Sequence, residues 1–135
     1  MKVRNWVSLY NKKQIELNTS RDTIKYFERS NDLTITKNIE SVKKIEELER
    51  ERDIRIQEFE NKYKLSFEDA KLLVDNSYHA NRDFNLDEFN EISQLNDQID
   101  GEKFYIYQRN RLVDRNKQII SNINDYIKRA TESND

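Results

Sequence analysis

The absence of chain-breaking residues constrains this chain more than any other feature. There is no proline among its 135 residues, and the single glycine is Gly101. Sheets with many hairpins need glycine and proline at their turns, so the sequence disfavours that class of fold. Helices tolerate both residues poorly in their interiors and require neither. The sequence therefore predicts an all-α protein.

The composition limits the function classes that the chain can serve. Hydrophobic residues make up 35% and charged residues 37%, which is typical of long helices that bury stripes rather than a deep core. The formal net charge is -2, so no overall positive field attracts nucleic acid or anionic lipid. No apolar run reaches the roughly 20 residues of a membrane helix. We expect a cytoplasmic protein with no nucleic-acid partner and no membrane insertion.

The spacing of apolar residues predicts a single helical domain over residues 1–135. The expected fold is an elongated antiparallel bundle of three long helices and one short helix, with coiled-coil-like packing. The segment "SNDLT" at 30–34 predicts a break, because Ser, Asn and Asp satisfy backbone groups at turns. The predicted helices span residues 3–30, 36–63, 66–75 and 86–131.

Two apolar stripes are predicted before the short helix. In the first helix one row of apolar and aromatic residues repeats every seven positions. The row beside it is half polar. In the second helix the stripe follows steps of four and three. We expect both stripes to face the core of the bundle. The first row is Val3, Tyr10, Leu17 and Ile24, its companion is Trp6, Lys13, Ser20 and Phe27, and the second stripe is Ile35, Ile39, Val42, Ile45 and Leu48.

Local signals mark where two helices begin. Ser66 is predicted to cap the short helix. Asn85 precedes Glu88 by three residues, which is the spacing of a capping box, and Phe84 and Phe89 occupy the positions of a hydrophobic staple. The long C-terminal helix is therefore predicted to start directly after Asn85.

A heptad row runs along the whole C-terminal helix without an interruption. All of its members are β-branched, whereas one companion row is polar in its middle, at Glu102, Arg109 and Asn116. Gly101 lies inside this helix and indicates a bend, a close helix contact or a neutral exposed position. The heptad row is Ile92, Ile99, Ile106, Val113, Ile120 and Ile127, and the flanking row is Tyr105, Leu112, Ile119 and Tyr126.

The sequence contains little that could perform chemistry. Cysteine is absent, and the only histidine, His79, falls in a predicted loop at 75–83. A catalytic triad or a histidine metal site needs partners that this histidine lacks. No glycine-rich phosphate-binding motif is present. The basic stretch 103–117 spreads its cations around the helix, which favours a solvated face over a nucleic-acid site. We expect no enzymatic activity, no metal and no cofactor.

The apolar stripe of the C-terminal helix has two possible uses. It is most simply the inner face of an intramolecular bundle. Near the C-terminus, however, its apolar width covers three heptad rows, and an arc of that width usually meets more than one neighbour. This favours a partner helix packed in a groove at residues 112–127.

Two segments resemble the FlgN family of flagellar export chaperones for hook-associated proteins. "ESVKKIEELERERDIRIQEFENKYKLSFEDAKLLV" at 40–74 is similar to the family's central helix with its Leu-Ser-type turn and short helix. "RNRLVDRNKQIISNINDYI" at 109–127 is similar to its final helix, with Asn116 followed by Ile119 and Ile120. Val113 stands where members often have a second Asn. The resemblance implies a cytosolic all-helical chaperone that requires no cofactor.

The resemblance also implies a binding site on the final helix. There the chaperone would hold the terminal helical segments of hook-associated proteins and deliver them to a component of the export gate. The apolar residues would supply burial, and Asn116 would fix the register of the bound helix. The alternative is a self-associating coiled-coil scaffold, and a homodimer is possible in either case. The implied partner-binding residues are Leu112, Val113, Asn116, Ile119, Ile120, Ile123, Tyr126 and Ile127.

Overall fold

Within residues 2–76 and 83–132, which the computed structural model describes, the chain forms three α-helices and no strand. They are α1 (Lys2–Tyr63), α2 (Phe67–Asn76) and α3 (Leu86–Glu132). The prediction of an all-α fold is confirmed. Residues 77–82 of the predicted loop, which include His79, lie outside the described residues.

The predicted break at 30–34 is wrong, because α1 is one continuous helix of 62 residues. The bundle therefore contains two long helices and one short helix, where three long helices were predicted. The polar residues at 30–34 form hydrogen bonds while the backbone of α1 stays helical. The Thr34 hydroxyl donates to the Ser30 carbonyl at 2.8 Å, and the Asn31 amide donates to the Val113 carbonyl of α3 at 3.4 Å.

The predicted stripe at 35–48 is also partly wrong. Ile45 is buried as expected, but Ile35, Ile39 and Val42 are exposed, and Thr34 and Ser41 are buried in their place. The inward row of α1 here continues the phase of Leu17 and Asn31, which repeats every seven residues. The local apolar spacing at 35–48 therefore did not identify the buried row of α1.

Two compact units divide the chain, and each contains parts of α1 and α3. Unit 1 is Met1–Asn38 with Gln108–Asp135, and unit 2 is Ile39–Tyr107. Unit 2 includes α2 and holds an aromatic core. In this core the ring centroids of Phe59 and Phe84 lie 5.4 Å apart, and those of Phe67 and Phe89 lie 5.0 Å apart. Such ring pairs add about 0.5–1.5 kcal/mol to the free energy of area burial.

The connection from α1 to α2 is built from local backbone chemistry. Lys64 has a φ of 51°, the left-handed conformation that ends many helices. The Ser66 hydroxyl then accepts a hydrogen bond from the Asp69 backbone N–H at 3.1 Å, so the predicted cap is confirmed. The Glu60 carboxylate accepts a second bond, from the Phe67 N–H at 3.0 Å.

The start of α3 has the predicted cap as well. The Asn85 side-chain oxygen accepts hydrogen bonds from the backbone N–H groups of Asp87 and Glu88, at 2.8 and 3.1 Å. The rings of Phe84 and Phe89 lie 5.7 Å apart, as a hydrophobic staple requires. The Glu88 carboxylate accepts a hydrogen bond from Lys62 at 2.6 Å.

Gly101 does not mark a close helix contact, because a Cβ atom added there would meet no atom within 4 Å. We expect Gly101→Ala to raise the free energy of unfolding by about 1 kcal/mol, since alanine loses less backbone entropy in a helix. Urea denaturation of both proteins measures the change. A lower stability of the variant would show that the backbone at residue 101 needs the freedom of glycine.

The Lys62–Glu88 pair gives the stability of unit 2 a pH dependence. The hydrogen bond from Lys62 lowers the pKa of Glu88 below its ordinary 4.5, although partial desolvation opposes this effect. The same bond raises the pKa of Lys62 above its ordinary 10.5. The pair is therefore stabilising between these two ordinary values, and its contribution is lost as the pH falls below 4.5 or rises above 10.5.

We expect Glu88→Gln to be less stable than the unchanged protein at pH 7, with the difference shrinking as the pH is lowered from 5 towards 3. Denaturant titrations across this range measure it. Glu47→Gln, at an exposed position of α1, is the matched control and should show a much smaller change. A Glu88→Gln difference that stays constant down to pH 3 would contradict the assignment.

Candidate protein-binding surface

Unit 1 is built on an antiparallel contact between α1 and α3. Asn31 of α1 bonds to Asn116 of α3, and Asn38, further along α1, bonds to Asn110, which precedes Asn116. The later residue of α1 thus meets the earlier residue of α3, as antiparallel helices require. We call the residues between the two helices the seam of unit 1. Among the described residues of this unit, no further helix packs on the seam.

A buried pair of amides lies in this seam. The Asn116 side-chain nitrogen donates to the Asn31 side-chain oxygen at 2.9 Å, and the Asn31 nitrogen donates to the Val113 carbonyl at 3.4 Å. Both side chains are buried. A buried Asn pair fixes the register of two packed helices, because other registers leave the amides without partners. Asn116 therefore has a register role within the chain itself.

The seam separates the predicted partner-binding residues into groups. Val113 and Asn116 are buried against α1, so a partner cannot reach their side chains in this conformation. Leu112 and Tyr126 point outwards, each 42% exposed. The remaining four are half-buried: Ile119, Ile120, Ile123 and Ile127.

The accessible members form one row along α3. Leu112, Ile119 and Tyr126 are seven residues apart, so they lie on one side of the helix at intervals of about 10.5 Å. We call these three residues the α3 flank. Two of them are exposed and Ile119 is half-buried. A helix with an apolar face could pack along such a row through i, i+7 contacts.

The surroundings of Leu112 add charge to this surface. A shallow groove beside it is lined by Gln108, Arg111, Leu112 and Arg115. Two arginines, Arg111 and Arg115, thus lie beside Leu112 at this end of the α3 flank. Guanidinium groups pair with carboxylates in a fixed fork geometry. The groove therefore fits a segment that carries an acidic residue beside its apolar face.

Three features are absent from the described residues: a metal-binding cluster, a buried polar side-chain atom without a partner and a membrane-spanning helix. None of the described residues form a group of three or more His, Asp or Glu side chains that could hold a metal ion. Every buried side-chain nitrogen or oxygen in the part of the chain that the structure describes has a hydrogen-bond partner. None of the described helices has an apolar stretch long enough to cross a membrane.

The start of α1 carries exposed apolar residues that the sequence placed in the core. Trp6 and Tyr10 belong to the predicted inward rows, yet both are exposed, and their rings stack with centroids 5.9 Å apart. The heptad rows correctly indicated their side of the helix. Periodicity could not reveal that α3 ends before it reaches them.

The comparisons with known proteins return no match: no protein-family model, no curated protein and no solved structure matches this chain. The FlgN resemblance of residues 40–74 and 109–127 remains a prediction. The function of the surface is therefore inferred from its residues and their geometry.

The buried amide pair yields a test of what Asn116 does. We expect Asn116→Ala to lower the free energy of unfolding by about 1–3 kcal/mol, because it leaves the Asn31 oxygen buried without a donor. The double variant Asn31→Leu/Asn116→Leu should regain that stability or exceed it, since no amide remains unpaired. Thermal and urea unfolding measure both. An Asn116→Ala variant of unchanged stability would instead make Asn116 available for a partner.

Proposed function

We propose that this protein is a cytoplasmic export chaperone of the FlgN type. It holds a terminal helical segment of a hook-associated flagellar protein along the α3 flank. Covering the apolar face of that segment prevents premature assembly, and the complex is delivered to the type III export apparatus. The protein acts by binding and uses no cofactor.

The observation that carries this proposal is the open apolar row on a unit of two helices. In unit 1 the seam buries Val113 and Asn116, but Leu112 and Tyr126 remain exposed and Ile119 is only half-buried. A partner helix laid along the α3 flank would remove these side chains from water. Full burial of an exposed side chain of this size is worth about 1.5–3 kcal/mol, and the exposed two-fifths of Leu112 and of Tyr126 can contribute a corresponding share. The resemblance of residues 109–127 to the family's final helix lends support at the same place.

The predicted site residues take different parts in this proposal. Leu112, Ile119 and Tyr126 contact the bound segment directly. The half-buried isoleucines at 120, 123 and 127 contribute their exposed edges. Val113 and Asn116 act indirectly, by holding α3 against α1 in a single register. Asn116 thus positions the surface rather than the bound segment.

A self-associating coiled-coil scaffold is the second candidate function. The same observation favours it, because a second copy of unit 1 could cover the α3 flank as well as a foreign helix could. The two candidates differ in the state of the purified protein. A scaffold forms a stable oligomer whose α3 flank is already covered, whereas a chaperone leaves the flank open until its client is added.

The test compares two pairs of exposed residues in unit 1. We expect Leu112→Asp/Tyr126→Asp to weaken binding of purified hook-associated proteins from the same organism at least about 10-fold, because both side chains are 42% exposed and that exposed part is what the client would bury. Titration calorimetry measures the affinity. Tyr26→Asp/Leu33→Asp is the matched control, since Tyr26 and Leu33 are exposed on α1 of the same unit. The control should bind normally.

Circular dichroism and sedimentation velocity separate the remaining outcomes. Both double variants should keep their helicity, because all four side chains are exposed. In contrast, Ile120→Asp/Ile127→Asp should lose stability, since these side chains are half-buried. Equal losses of client binding in the Leu112/Tyr126 variant and its control would contradict the site. A client-free oligomer dissolved by Leu112→Asp/Tyr126→Asp would establish the scaffold.

A further inference from the structure

The first turns of α1 have no helix beside them in the part of unit 1 that the structure describes. Asn31 lies opposite Asn116, so two heptads earlier in α1 Leu17 lies opposite Ala130 of the antiparallel α3. From residue 6 onwards, Leu17 is the first buried residue of α1, and the described part of α3 extends to Glu132. Residues 6–12 therefore extend beyond the described part of α3.

This overhanging stretch is apolar over a wide arc. Trp6, Val7, Leu9 and Tyr10 are 67, 44, 66 and 52% exposed. At about 100° per residue, they cover roughly 160° of the helix circumference, from Leu9 to Val7. A two-stranded coiled coil uses a narrower stripe. A flat apolar boundary can cover an apolar arc of this width, whereas a single partner helix would cover only part of it.

The charge of the same stretch indicates which charge a complementary surface carries. Lys2, Arg4, Lys12 and Lys13 precede Glu16, and no acidic residue occurs before it. The start of the chain is thus strongly basic, although the net charge of the whole chain is -2. A second copy would bring like charges together and is disfavoured. An anionic surface complements this segment.

We propose that residues 2–15 of α1 bind the surface of an anionic phospholipid membrane. A basic amphipathic helix with exposed Trp, Leu and Tyr lies in the interface plane, with its apolar side in the boundary between headgroups and acyl chains. Trp6, Leu9 and Tyr10 enter that boundary, and the exposed Lys12 contacts the lipid phosphates. The helix lies on the membrane without crossing it. This inference does not depend on the chaperone proposal, because it uses neither the α3 flank nor a client.

Trp6 supplies the readout, because it is the only tryptophan of the chain. Vesicles of equal parts phosphatidylcholine and phosphatidylglycerol should shift its emission to shorter wavelength, as the exposed indole leaves water. Vesicles of phosphatidylcholine alone should produce a much smaller shift. High salt should weaken the binding, since it screens the attraction between the basic residues and the lipid phosphates.

Two pairs of variants test the apolar and the charged contributions. Leu9→Asp should weaken vesicle binding roughly 100-fold, whereas Leu33→Asp should not. Leu9 and Leu33 are 66 and 67% exposed on the same helix, so they are matched in accessibility. Lys12→Glu should weaken binding about 30-fold, because each unit of charge near the surface is worth about 1 kcal/mol. The exposed Lys25→Glu is its control.

Three outcomes would overturn the proposal. The first is an unchanged Trp6 emission with phosphatidylglycerol vesicles, or vesicle binding that is weakened equally in a variant and in its control. The second is a blue shift that grows with protein concentration in the absence of lipid, which assigns the face to a second copy. The third is a shift induced by an acidic amphipathic peptide but not by vesicles, which assigns it to a protein helix.

Discussion

The hydrogen-bonded pair of Asn31 and Asn116 is the constraint on which unit 1 depends. The two amides are buried, and sliding one helix along the other would leave them without partners at a cost of about 1–3 kcal/mol each. The pair therefore selects one register. That register turns Val113 towards α1 and leaves its neighbour Leu112 at the surface. The accessible surface of α3 is thus a consequence of two buried polar side chains.

The two units differ in how completely their helices are covered. In unit 2 the short helix α2 and the residues before α3 contribute Phe67, Ala70 and Phe84 to an aromatic core with Phe59 and Phe89. In the described part of unit 1 no such third element is present, and two helices alone cannot enclose the apolar rows they carry. Half-buried isoleucines and an open α3 flank follow directly. A protein that binds helical segments can use such a surface, because its apolar side chains are already ordered before the segment binds.

Unit 1 carries two exposed surfaces of different chemistry. The α3 flank combines aliphatic and aromatic side chains with Arg111 and Arg115, which fits an amphipathic protein segment with acidic residues. The overhanging start of α1 combines Trp6, Leu9 and Tyr10 with basic residues and spans a wider arc, which fits a lipid surface. The two proposals are compatible, because they use different residues. Under both proposals together, the protein would bring its bound client to a membrane.

The sequence by itself determined the features that depend on near neighbours. The all-α class follows from missing chain breakers, and the caps at Ser66 and Asn85 follow from bonds that reach only two or three residues. Only the tertiary structure decided that α1 continues through 30–34, because Asn31 finds its partner 85 residues away in α3. It also decided which apolar residues stay exposed. Leu112 and Val113 are adjacent in sequence and both were predicted to contact a partner, but the packing of α3 against α1 buries Val113 and leaves Leu112 at the surface.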